Sequence, residues 1–173
     1  MKESSFLNFV SDSDTVIKSL RDIKLFEGLN KPELEEILSL SKFRSYKQGE
    51  TIIQEGDADQ WIYFLFSGSV KVMAGGQFIK KLQEKGDLFG EIGVLDGSER
   101  SASVVAAEDY TICVAVEGVI LDHFLDRENL NVPYIMYRIF SEVFAMRLRE
   151  TTKENVQLRN EIERLQVKLK IAS

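Results

Sequence analysis

In the stretch GEIGVLDGSERSASV, residues 90–104, an acid at Glu91 and a base at Arg100 close the two ends of a glycine-containing loop. A run of small residues and valine follows directly. A guanidinium presents a planar fork of donors that suits a phosphate. A carboxylate presents paired acceptors that suit one or two hydroxyls. One helical turn over 92–95 would add backbone N–H groups that can point at an anion. Phosphate and sugar hydroxyl side by side describe a nucleotide. The other use of the same residues is a salt bridge between Glu91 and Arg100 across an empty turn.

Elements on either side must hold such a loop. A chain of 173 residues buries one sizeable core, so the expectation is one domain with an appendage. Over 15–40, Val16, Ile17, Leu20 and Ile23, then Leu34, Ile37 and Leu38, recur at helical spacing, and Asn30 with Glu33 opens the second segment as a capping box would. From Phe43 to about Val116 the pattern changes to short strands broken by KQGE, QEGDAD, SGS, AGG and EKGD. Tyr110, Ile112, Val114 and Val116 alternate with Thr111, Cys113 and Ala115, which reads as a strand with one buried face and makes Cys113 a small packing residue. The expected fold is α+β: a small antiparallel β-barrel or jelly roll with lead-in helices and a long C-terminal helix. The division is a tail over 1–14, the barrel with its lead-in helices over 15–130, and a helix over 131–173.

That helix has Pro133 in its first turn, where proline is tolerated, and no glycine afterwards. At ~1.5 Å per residue it spans roughly 55–60 Å, longer than a small barrel is wide. Its proximal half, through Phe140 and Phe144, is expected to pack on the barrel. Farther along, Leu148, Thr151, Asn155, Leu158, Ile162, Leu165 and Leu169 follow the alternating three-four spacing of a coiled-coil seam. With Leu148, Asn155, Ile162 and Leu169 at a, and Thr151, Leu158 and Leu165 at d, the pattern favours a parallel homodimer; Glu154 at g faces Arg159 at e of the partner.

The loop resembles the phosphate-binding cassette of the cyclic nucleotide-binding domain family in Gly90, Glu91, Ile92, Gly93, Val94, Arg100, Ser101 and Ala102. LRDIKLFEGLNKPELEEI, YKQGETIIQEGD and IYFLFSGSVKV are similar to that family's lead-in helices and early strands, so the likeness covers roughly 18–150. Within the family it is nearest to the sensor domain of bacterial catabolite activators. Many members have Pro immediately before the Arg and Ala two residues after the Glu; here Glu99 and Gly93 stand in those places. The resemblance implies a cyclic nucleotide-binding β-roll. Glu91 would take the ribose 2′-hydroxyl; Arg100 with the amides of Ser101 and Ala102 would take the cyclic phosphate; Gly90 would allow close backbone approach, with Phe89 and Ile92 beside it. AMRLRETTKENVQL is similar to the catabolite activators' long helix, which implies that Thr151 and Thr152 contact the base. The implied ligand is cAMP rather than cGMP.

Other classes find less support. The single histidine, His123, lies in the amphipathic segment VILDHFLDRE, and no nucleophile–base or metal-ligand cluster is evident, so no enzyme, metal or cofactor is expected. A net charge of −6 argues against duplex DNA, and a helix-turn-helix segment as in catabolite activators is not found. One cysteine, a polar N-terminus and the lack of a long apolar run fit a cytoplasmic chain away from the membrane. The expectation is a dimeric cyclic-nucleotide sensor acting through a downstream protein. The alternatives are a coiled-coil adaptor with a degenerate pocket, or the sensor fragment of a larger regulator.

Overall fold

The structure is a computed structural model; it describes residues 13–23, 26–27, 29–118 and 131–172. His123 and its segment lie outside the described residues. Among the described residues two short helices lead into the sheets, α1 (Ser13–Arg21) and α2 (Lys31–Ser39). The start of α2 is the expected capping box: Asn30 Oδ1 accepts from Glu33 N at 3.0 Å and Glu33 Oε2 accepts from Asn30 N at 2.8 Å. Two backbone donors at the helix start are thereby satisfied reciprocally. Val16, Ile17 and Leu20 of α1 and Leu34 and Ile37 of α2 are buried at helical spacing, and Ile23, Phe26 and Leu29 between the helices are buried with them.

Eight strands follow: β1 (Ser41–Tyr46), β2 (Thr51–Ile53), β3 (Trp61–Ser67), β4 (Val70–Ala74), β5 (Gln77–Leu82), β6 (Leu88–Phe89), then, after the short helix α3 (Glu91–Asp96), β7 (Ser103–Ala106) and β8 (Thr111–Glu117). They form two antiparallel sheets, ordered β1-β8-β3-β6 and β2-β7-β4-β5. Ile53, Val70, Leu82 and Val104 from one sheet meet Tyr63, Leu65, Phe89, Cys113 and Ala115 from the other in a single apolar core. This is the expected jelly-roll arrangement.

Strand β8 departs from the one-sided pattern. From Thr111 to Val116 every residue is buried, so both faces are covered. Cys113 and Ala115 join the core between the sheets, and the opposite face of the same sheet carries Phe64, whose ring packs on Phe26 of the lead-in segment at 5.1 Å. A central strand with cover on both sides reads as a continuous apolar run. Tyr110 is not part of the strand: its φ is +59° and it is 49% exposed. Cys113 is a buried free cysteine, as expected, and burial pushes its thiol up to about 12.

Helix α4 (Asn131–Ala172) runs as one element of 42 residues. The chain divides at Tyr134, and the helix beyond it forms a compact unit of its own. Among its described side chains Met136, Ile139, Phe140 and Val143 are buried. Phe144, the next residue along, is exposed. Leu148, Leu158, Ile162, Leu165 and Leu169 are all exposed.

Candidate functional site

The cassette begins where β6 ends. Phe89 is buried, its ring stacked on Tyr63 with centroids 5.3 Å apart and planes 5° from parallel. Gly90 then turns the chain with φ +80°, a conformation that L side chains resist. Space makes the same demand: a Cβ there would lie 2.8 Å from Ile53 Cδ1 and 3.1 Å from both Arg100 Nη1 and the Trp61 carbonyl oxygen. Glycine is required on both grounds. Helix α3 starts at once and covers the turn expected at 92–95. Glu91, its first residue, is buried, while Ile92 is 43% exposed.

Gly97, at φ +70°, ends the helix. Asp96 then accepts from Ser98 N at 2.9 Å and from Ser98 Oγ at 2.6 Å, which holds its carboxyl below the usual range. The chain is thereby aimed back into the sandwich at Arg100. Ser101 is exposed and Ala102 half-buried just beyond it.

Arg100 is 3% exposed and held by four hydrogen bonds. Nε donates to Asp59 Oδ2 at 3.1 Å, Nη2 donates to Asp59 Oδ1 and to the Trp61 carbonyl at 2.5 Å, and Nη1 donates to the Gly90 carbonyl. Backbone bonds fix the same residue from below: Arg100 N donates to Asp57 O at 2.8 Å, and its own carbonyl accepts from Gly56 N at 2.9 Å. The carboxylate paired with Arg100 is therefore Asp59, where the alternative sequence reading offered Glu91.

Burial pushes the Asp59 carboxyl up, but the Arg100 hydrogen bond, the Trp61 N–H at 3.0 Å and the charges of Arg100 and Arg44 outweigh it. The group sits below the ordinary carboxylate range. Arg44 belongs to the same surroundings: its guanidinium lies 4.5 Å from the centre of the Trp61 ring, with Lys42 Nζ at 4.8 Å, and Nη1 donates to Tyr63 Oη at 3.4 Å. Burial, and after it the neighbouring Tyr46, raise the Tyr63 phenol to about 12, so it stays protonated.

Phe89, Gly90, Glu91, Ile92, Arg100, Ser101 and Ala102 thus lie together on the β-sandwich unit. Thr151 and Thr152 lie on the separate α4 unit, both exposed, and Thr152 Oγ1 donates to the Leu148 carbonyl at 2.7 Å. Sequence reasoning missed Asp59, Trp61 and Arg44. Asp59 sits in QEGDAD, which reads only as a turn, and nothing in its spacing links it to an arginine so far along the chain. Among the described residues no group of acids, histidine or cysteine could hold a metal ion, and no helix is long and apolar enough to cross a membrane.

A two-sheet roll here closes a glycine-bounded turn on a buried acid and a buried arginine. Residues 43–128 match the model of the cyclic nucleotide-binding domain, and with that fold and cassette the chain belongs to the cyclic nucleotide-binding domain family. It carries a cyclic nucleotide-binding regulatory domain. The cyclic AMP receptor protein of Thermus thermophilus is 42% identical over 89 residues, covering 49% of this chain and 41% of that protein. The cGMP-dependent protein kinase of Toxoplasma gondii is 34% identical over 138 residues, covering 80% of this chain and 13% of the kinase. The crystal structure of the Thermus thermophilus catabolite activator protein superposes with a TM-score of 0.63 at 35% identity, covering 78% of this chain and 62% of that one. The chain thus spans well under half the length of these two curated relatives.

Proposed function

We propose that this chain is a cytoplasmic sensor that binds cAMP in preference to cGMP, pairs with a second copy through α4, and signals through a downstream protein. The observation that carries the reading is the glycine-bounded turn with buried Glu91 and buried Arg100 at its ends. Glu91 accepts from the ribose 2′-hydroxyl. Arg100 and the amides of Ser101 and Ala102 receive the cyclic phosphate, with Phe89 and Ile92 shaping the turn.

The four hydrogen bonds on Arg100 occupy four of a guanidinium's five donors. The fifth, on Nη1, is the one available to the phosphate. Asp59 is then a positioning residue: it orients the fork so that the remaining N–H points in one direction. Thr151 and Thr152 offer hydroxyls to the base, which can accept from an adenine amino group. In this division residues 1–14 are a tail, 15–130 sense the ligand, and the helix over 131–173 pairs two copies.

The exposed Leu148, Leu158, Ile162, Leu165 and Leu169 support that pairing, since their three-four spacing with Asn155 at an a position suits a parallel two-stranded seam. A ligand that touches both helices would strengthen the dimer by the same factor by which the dimer strengthens ligand binding.

Calorimetric titration of the chain with cAMP and with cGMP tests the reading. Trp61, the single tryptophan, supplies a second readout, because its N–H and carbonyl are bound to Asp59 and Arg100. Saturable heat and a change in Trp61 emission, at lower concentration for cAMP, are expected; silence with both nucleotides would overturn the assignment. Sedimentation of the wild type and of Leu158→Asp/Leu165→Asp tests the pairing, with dimers expected for the first and monomers for the second.

A further inference from the structure

Strand β5 is one of the two edge strands of its sheet and, among the described residues, pairs with β4 alone. The two strands are joined at Gly75 and Gly76, both at positive φ, with Ala74 opposite Gln77; this is the tight two-residue turn that matches strand twist. Past the turn the register slips by one residue: Met73 faces Phe78 and Val72 faces Lys80, which leaves Ile79 as the extra residue of a bulge. A regular strand would have turned either Phe78 or Ile79 inward. The bulge breaks that alternation, and both are exposed, at 58% and 55%.

Edge strands of soluble proteins are ordinarily blunted by charge, proline or cover, because their unpaired N–H and C=O groups invite another strand. Here two large apolar side chains stand next to each other on that edge. The hairpin segment itself carries charge of one sign: residues 71–83 hold Lys71, Lys80 and Lys81 and no acid, in a chain of net charge −6, while Glu55 meets only its turn, accepting from Gly75 N at 2.9 Å. Lys71 and Lys81 lie directly opposite across the ladder, a like-charge pairing that destabilises a sheet. Among the described residues no ion pair holds any of the three lysines.

We propose that the outer edge of β5 is a docking surface for an extended acidic segment of a partner protein, which adds to the sheet as a further strand. The β5 backbone supplies the ladder. Alternate apolar side chains of the incoming strand lie on Phe78 and Ile79, and its carboxylates settle against Lys71 and Lys81, relieving their repulsion. A second copy fits less well, since edge-to-edge pairing would bring lysines onto lysines. A membrane surface also fits less well: three lysines fall short of the roughly four to eight that hold a protein on anionic lipid, and the rest of the chain is acidic. Docking here makes no use of Glu91 or Arg100 and is measured without nucleotide.

The test is selection of short random displayed peptides on the full chain. Enriched peptides that alternate apolar residues with Asp or Glu are expected. A synthetic copy of one should bind more weakly as salt rises and slow hydrogen exchange at the β5 amides. Its affinity should fall about tenfold or more in Phe78→Ser/Ile79→Ser and, separately, in Lys71→Ala/Lys81→Ala. These are surface changes, and each variant is checked for wild-type cooperative unfolding. The proposal is overturned if no acidic alternating peptides are enriched, or if their binding is unchanged in the Lys71→Ala/Lys81→Ala variant. It is also overturned if the exposed pair serves another contact, shown by Phe78-dependent sedimentation with phosphatidylserine vesicles or by a change in oligomeric state in Phe78→Ser/Ile79→Ser.

Discussion

Lysine at position 100 would keep one positive charge and remove the fork. In the native chain three different nitrogens reach three different groups: Nε and Nη2 engage the two Asp59 oxygens, Nη2 also meets the Trp61 carbonyl, and Nη1 meets the Gly90 carbonyl. A lysine ammonium is one nitrogen on a flexible stem and cannot serve Asp59 and the Gly90 carbonyl together. Arg100→Lys therefore gives up the oriented Nη1 N–H assigned to the phosphate. One hydrogen bond to a charged group is worth about 1.5–3 kcal/mol, and every 1.4 kcal/mol is tenfold, so the dissociation constant for cAMP should rise about 10- to 150-fold. Arg100→Ala also loses the cation and should bind more weakly still. The fold suffers less than the roughly 3–5 kcal/mol that breaking a fully buried pair costs, because the Asp59 side chain is 35% exposed and water can screen it. Calorimetry gives the affinities, and urea unfolding of each variant confirms that a native fold is being titrated. Folded Arg100→Ala with a dissociation constant within about twofold of wild type would refute the assignment of the phosphate to this residue.

Three further outcomes follow from the same geometry. The Asp59 carboxyl is lowered in the fold, so its contribution is present above the unfolded value near 3.8 and is lost as pH falls through the lower folded value; acid unfolding should show this loss in wild type and not in Asp59→Asn. Gly90→Ala must hold an L residue at φ +80° with its Cβ 2.8 Å from Ile53 Cδ1, and it should lose about 1–3 kcal/mol or more in urea unfolding; wild-type stability would mean the turn is not built as described. Cys113 is fully buried with its thiol pushed up to about 12, so it should resist a thiol reagent near neutral pH until the chain is unfolded, whereas rapid native labelling would contradict its place in the core.

What was legible in the sequence is what neighbours along the chain decide. Asn30 and Glu33 are three residues apart, so their reciprocal cap depends on one helical turn and on nothing distant. The turn between Gly90 and Gly97 is likewise local, since glycines that can take positive φ bound a short helix wherever they stand at such a spacing. The unbroken run of α4 follows from the absence of glycine after its first turn, and its leucines from Leu148 onward are exposed. Other features required the layering of the two sheets. Tyr110 continues the apolar alternation of β8 on paper, yet it sits in a left-handed turn outside the strand. Within β8 both faces are buried, because neighbouring strands and lead-in helices decide burial there, and residue alternation cannot report them. Asp59 shows the same limit at the site itself. The carboxylate that holds Arg100 comes from a turn read only as a turn. It meets the arginine because Asp57 O accepts from Arg100 N and Gly56 N donates to Arg100 O, binding the two loops side by side. Such pairings are set by contacts between loops far apart in sequence, so the tertiary structure alone decided which acid the arginine would have.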